Sequence, residues 1–277
     1  MKKLPTYYLW TGSHFVPQPQ GQTHQIVVAD SWRVRDRKIW GLEDHVQRFL
    51  TGIETTKQLA NQLVPPQPHA LQAALQQVLV DTQRQHGATD LFPRISVETD
   101  GTTYWIILLV RPAPPIRSTT SLWIPEYTDP RTRPTVKGPD IDLMRRLVSE
   151  APADDVVLHD GTNVVETTTG ALLIWPTPQE LVVCQSDQQL ASISAQRIAT
   201  YARSQNVMVH HRPVSLQDLG SGEYSVWFSN TLHGISPVTT ISSVTGEKSV
   251  PVHPATGQWQ TAWWNQFNAV RTSKITE

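Results

Sequence analysis

The chain has 277 residues, of which 39% are hydrophobic and 17% charged, with a formal net charge of −1. That balance supports a folded core and excludes a disordered or membrane-spanning chain. With no dense Lys/Arg run, nucleic acid and membrane surfaces are poor partners, and the single cysteine, Cys184, excludes an internal disulfide and a thiolate-cluster metal site.

Met1-Lys2-Lys3 is followed at once by Pro5, Thr6 and Tyr7 rather than by the apolar stretch of a signal peptide. A cytoplasmic protein is expected. Ile26 to Ala29 reads as a short β-branched strand. Val46, Leu50 and Ile53 recur at helical spacing and predict a helix from Leu42 to about Ala60, broken by Pro65, Pro66 and Pro68. Leu71, Leu75, Val78, Leu79 and Thr82 mark a second amphipathic helix ending at Gly87. Arg94–Glu98 alternates as a strand, Tyr104–Val110 is continuously apolar, and Asp100-Gly101 between them signals a hairpin turn.

Three prolines in Arg111–Pro115 place a boundary there, so the expected domains are 1–115 and 116–277. An irregular stretch, Pro125–Pro134, precedes Lys137. Then come a helix at about Asp140–Ser149 and strands at Asp155–His159, Ala171–Trp175 and Leu181–Cys184. A helix from Ser194 to about Ser204 follows, then strands at Val207–His211 and Tyr224–Phe228. The stretch after about Pro237 reads as peripheral, and Trp263-Trp264 as packing or an oligomer contact. The fold class is α/β (α+β). Cys184, inside Leu181-Val182-Val183-Cys184, reads as a buried, inert thiol.

No Walker loop, G-x-G-x-x-G or G-x-S-x-G is present. The closest histidines, His210 and His211, point to opposite faces of a strand, so no metal site is expected. Four ordered stretches carry a different signal. They are Ala29-Asp30-Ser31-Trp32-Arg33-Val34-Arg35-Asp36 with Leu42-Glu43-Asp44-His45-Val46-Gln47-Arg48-Phe49; Val136-Lys137-Gly138-Pro139-Asp140; Asp154 through His159-Asp160-Gly161 to Glu166; and Leu190-Ala191-Ser192-Ile193-Ser194 with Phe228-Ser229-Asn230-Thr231-Leu232-His233-Gly234-Ile235-Ser236-Pro237-Val238.

Together these resemble the class IV aminotransferase family of pyridoxal 5′-phosphate (PLP) fold type IV. Its members include branched-chain and D-amino acid aminotransferases and 4-amino-4-deoxychorismate lyases. The resemblance implies two domains with the cofactor in the cleft between them, a homodimer, and amino transfer from an amino acid to a 2-oxo acid. The alternatives are pyruvate release by a 4-amino-4-deoxychorismate lyase, which the Asp30-Ser31-Trp32-Arg33 segment and the chain's brevity resemble, and a fold relative that binds without turnover.

The resemblance also assigns residues, and each suits its chemistry. Lys137 is implied as the Schiff-base lysine, since an amine of lowered pKa can form an imine and then shuttle protons. Glu166 is implied as the carboxylate that keeps the pyridine nitrogen protonated. Arg48, one turn after Asp44-His45, offers a guanidinium to the phosphate. Ile193 and Ser194, with Ser194 as the expected N-cap, supply helix N-terminal amides. Ser229, Asn230 and Thr231 match a second phosphate loop. Ser31 and Arg33 are candidates for substrate contact, and His45 reads as structural. The family's usual Gly-Ala-Asp-Glu reads Pro152-Ala153-Asp154-Asp155 here.

Overall fold

The computed structural model describes residues 4–19, 24–35, 38–56, 59, 62–86 and 90–265, and the backbone of 272–274. Asp36, Ala60 and Gly87 lie outside the described residues. Two compact units emerge: Met1–Pro114 with Val136–Pro139 and Val270–Glu277, and Pro115–Thr135 with Asp140–Ala269. Lys137 therefore belongs with the first unit, not with its neighbours in sequence.

In the first unit the elements are β1 (Thr6–Trp10), β2 (Phe15–Gln18), β3 (Gln25–Ser31), β4 (Val34–Arg35), β5 (Lys38–Trp40), α1 (Leu42–Thr55), α2 (Pro68–His86), β6 (Arg94–Thr99) and β7 (Tyr104–Val110). An antiparallel sheet of order β2-β1-β7-β6-β3 carries both helices on one face. The reason is periodic: Val46, Phe49, Leu50 and Ile53 of α1 meet Leu71, Leu75 and Leu79 of α2 over Val27, Ile95, Val97, Ile106 and Leu108 of the strands. The helix expected to run to residue 60 stops at Thr55. Pro68, read as a breaker, instead opens α2, where its missing N–H costs nothing.

The second unit holds β8 (Thr120–Ile124), α3 (Ile141–Glu150), β9 (Asp155–His159), β10 (Val164–Thr167), β11 (Ala171–Thr177), β12 (Glu180–Cys184), α4 (Ile193–Ser204), β13 (Met208–Arg212), α5 (Leu216–Ser221), β14 (Ser225–Asn230), β15 (Gly234–Ser243), β16 (Gly246–Ser249) and α6 (Thr256–Asn265). The last strand, β17 (Thr272–Lys274), belongs to the first unit, where it pairs with β5. The large sheet runs β10-β9-β8-β15-β14-β11-β12-β13, with β16 on β15. Both of its faces are covered. Leu172, Ile174, Val226 and Phe228 enter one core, while Leu173, Trp175, Trp227 and the α4 residues Ala195 and Ile198 enter another. Such strands read as continuous apolar runs.

The segment after Pro237 is not peripheral. β15 pairs with β14, β8 and β16, and Trp259 and Trp263 of α6 are buried against Trp227. Its Ser/Thr-rich composition hid a central strand, because pairing on both edges, not hydrophobicity, holds it there. Among the described residues no helix is long and apolar enough to cross a membrane.

Candidate active site

The Asp30 side chain, on β3, is completely buried. A buried carboxylate needs partners, and α1 supplies them three residues apart on one face. Arg48 donates from Nε and Nη2 at 2.7 and 2.8 Å, and His45 donates from Nδ1 at 2.8 Å. The Ser31 amide adds 2.7 Å. Burial pushes the Asp30 pKa up, but the charges and hydrogen bonds of Arg48 and His45 overrule it and hold the carboxyl well below the usual carboxylate range. Burial depresses the His45 pKa more than Asp30 restores it, so the imidazole is neutral. With Nδ1–H committed to Asp30, its Nε2 is a buried acceptor without a partner among the described residues.

Lys137 is fixed against the same strand. Its carbonyl accepts the Ala29 amide at 2.7 Å, and its charge bears on His45. Gly138 makes the approach feasible: at φ 139°, a Cβ there would lie 2.8 Å from the Val28 and Ala29 backbone. The structure thus brings Lys137 and Arg48 to one strand of the first unit. Arg33 braces the unit internally. It is 4% exposed, pairs with Asp90 at 2.6 Å and donates to the Pro114 carbonyl at 3.1 Å. Ser31 ends β3, in register with Arg94.

In the second unit Glu166 lies on β10 at a register shift. Its Oε1 accepts Arg131 Nη1 at 2.6 Å and the Leu190 amide at 2.9 Å. Arg131 also donates to Asp129 at 2.7 Å and to the Gln188 carbonyl at 3.2 Å. Burial would lower the Arg131 pKa, but Asp129 and Glu166 reverse that and hold it charged. Leu190 leads into α4, so one carboxylate ties together β10, the loop before Lys137 and the approach to the helix.

That helix begins one residue earlier than expected, and its cap is Ser192, whose hydroxyl accepts the Ala195 amide at 3.2 Å. Ser194 is the second helical residue, not the cap, and with Ile193 it presents first-turn amides. Ser229, the residue before the last of β14, has a fully buried Oγ without a partner among the described residues. Asn230 closes the next turn, its Oδ1 accepting the Leu232 and His233 amides at 3.1 and 2.8 Å. Its side chain therefore shapes the loop around Thr231.

Two residues escaped the sequence reading. Asp30 was visible as a charge inside an apolar strand, which demands a buried partner. Arg131 was visible only as Asp129-Pro130-Arg131 in an irregular loop, a pair that a surface loop carries equally well.

The family model described as Amino-transferase class IV matches residues 27–241. No curated protein matches the chain. Among solved structures, a branched-chain aminotransferase from Thermoproteus uzoniensis with norvaline superposes with TM-score 0.79 at 14% identity, covering 98% of this chain and 100% of that one. A hypothetical aminotransferase from Mycobacterium tuberculosis, in its alpha-ketoglutarate and PMP bound form, gives 0.78 at 16%, covering 95% and 100%. A branched-chain amino acid aminotransferase from Thermobaculum terrenum in PLP-form gives 0.76 at 16%, covering 99% and 100%. At such identities these likenesses establish the fold.

Proposed function

Because this chain belongs to the class IV aminotransferase family, we propose that it transfers an amino group from an amino acid to a 2-oxo acid with PLP bound at Lys137. The observation that carries the reading is the docking of Lys137-Gly138 on Ala29, beside the Asp30–Arg48–His45 cluster. A lysine held on the strand that carries this charged cluster has the chemistry an imine-forming lysine needs.

The donor set fits the cofactor. A phosphate requires cations and amide or hydroxyl donors; the first unit offers Arg48, and the second, taken by itself, offers the first turn of α4, Thr231 and the unpartnered Ser229 hydroxyl. A pyridine nitrogen requires a carboxylate, and Glu166 is one. When bound, PLP supplies an aldehyde for the substrate amine and a ring that takes up electrons from the adjacent carbon.

The chain's own groups do the rest. Asp30 fixes the Nε/Nη2 edge of Arg48 and so sets the orientation of the guanidinium. Arg131 orients the Glu166 carboxyl, whose negative charge would favour a proton on the ring nitrogen. Lys137 Nζ takes and returns the proton of the substrate carbon.

The test is the absorbance spectrum of purified protein with PLP, before and after a panel of L- and D-amino acids. A near-ultraviolet to visible band that borohydride abolishes, and that Lys137→Ala lacks, supports the reading; protein that never takes up PLP refutes it. Amino transfer to a 2-oxo acid, measured beside pyruvate release from aminodeoxychorismate, separates a transaminase from a lyase.

A further inference from the structure

Outside the groups used so far, the second unit buries one more carboxyl, Asp155 at the start of β9. Its two oxygens accept the hydroxyls of Thr168 and Thr169, and Oδ1 also accepts the Val156 amide at 3.0 Å. Burying a carboxyl is costly unless it is hydrogen-bonded, and these three bonds supply the compensation. What it holds is the turn that follows Glu166. That turn is pressed onto β14, since a Cβ on Gly170 would lie 2.7 Å from the Ser229 carbonyl oxygen.

The bonding then continues. The Thr169 carbonyl accepts Asn230 Nδ2 at 3.2 Å, and Asn230 Oδ1 accepts the Leu232 and His233 amides. Thr231 is the residue enclosed. The turn after Glu166 and the turn around Thr231 are thus one hydrogen-bonded unit rooted at Asp155.

We propose that Asp155 is a positioning residue: through Thr169 and Asn230 it holds the Thr231 turn in the shape that receives a phosphate group. The phosphate role rests on the function proposed above; the hold on the turn does not. Asp155 is fully buried beneath the turn and acts through it.

The experiment uses the full chain with Asp155→Ala, Asp155→Asn and Thr169→Val. Amide hydrogen exchange in protein without cofactor reads the turn directly. Affinity for PLP and for pyridoxal, which lacks the phosphate, reads its purpose. Asp155→Ala is expected to speed exchange at Leu232 and His233. It should weaken PLP by about tenfold, the worth of one buried hydrogen bond, and leave pyridoxal within about twofold. Asp155→Asn, which keeps an acceptor and adds a donor, should restore most of the affinity. Thr169→Val removes one hydroxyl at nearly constant volume, so it serves if the alanine variant does not fold, and it should show part of the same phosphate-selective loss. Equal losses for the two aldehydes overturn the phosphate role, and unchanged exchange at Leu232 and His233 overturns the hold on the turn. Wild-type protein that binds neither aldehyde sinks the proposed function and the phosphate role together, while exchange still decides whether Asp155 holds the turn.

Discussion

Asp30 and Arg48 meet through a two-point contact, Nε and Nη2 on separate carboxylate oxygens, 18 residues apart in sequence and buried on the carboxylate side. The fork geometry leaves the guanidinium one orientation, which a lysine at the same place would not have.

Breaking that contact from one side leaves an uncompensated charge. Asp30→Ala is expected to cost about 3–5 kcal/mol of stability, measured by urea denaturation. Arg48→Lys should cost less in stability yet weaken PLP binding, because a single ammonium cannot serve Asp30 and a phosphate together. PLP affinity unaltered by Arg48→Lys would contradict the assigned role.

Stability should fall toward acid in two limbs. His45 lies below its ordinary 6.5, so the unfolded chain binds a proton that the folded protein refuses, and stability declines as pH drops below about 6.5. His253, also lowered by burial, adds to this limb. Asp30 lies below its ordinary 3.8. Its contribution is therefore complete above about pH 4 to 5 and is lost as pH falls through the folded value. Urea midpoints across pH 3–8 check this, and His45→Gln should flatten the upper limb.

Gly138→Ala tests whether the lysine segment must lie on β3. With backbone at 2.8 Å and φ at 139°, the added methyl has no room, so the Lys137–Ala29 hydrogen bond should open. The expected result is a lower melting temperature together with loss of the cofactor absorbance band. A variant with unchanged spectrum would show that the lysine does not depend on this anchor.

Arg131→Lys keeps the charge but cannot span Asp129 and Glu166 with a fork, so about a tenfold loss of kcat/KM with a modest loss of stability is expected. Arg131→Met removes the counter-charge of buried Glu166 and partly buried Asp129 and should unfold at markedly lower urea. Steady-state kinetics and denaturation on the same preparations separate the two effects.

Cys184 is 1% exposed and its thiol is pushed up to about 12 by burial. A thiol reagent should therefore find no reactive group in native protein and one equivalent after denaturation.

The elements with strong periodicity were readable in advance. α1 and α2 follow from Val46, Leu50, Leu71 and Leu75, and the β6–β7 hairpin from Asp100-Gly101 between two strand patterns. The candidate residues were readable through the order of four short stretches. Their local settings were not: Arg33 pairs with Asp90, Ser192 rather than Ser194 caps α4, and β15 runs through the middle of its sheet.

The chain's own order of residues determined where the helices and hairpins form and which lysine, glutamate and arginine stand out, because these depend on neighbours a few positions away. Only the tertiary structure decided that Asp30 clamps Arg48, that Arg131 reaches Glu166 across 35 residues, and that Lys137 docks on β3. A buried charge must find its counterion wherever the fold brings one, and no local pattern records that meeting.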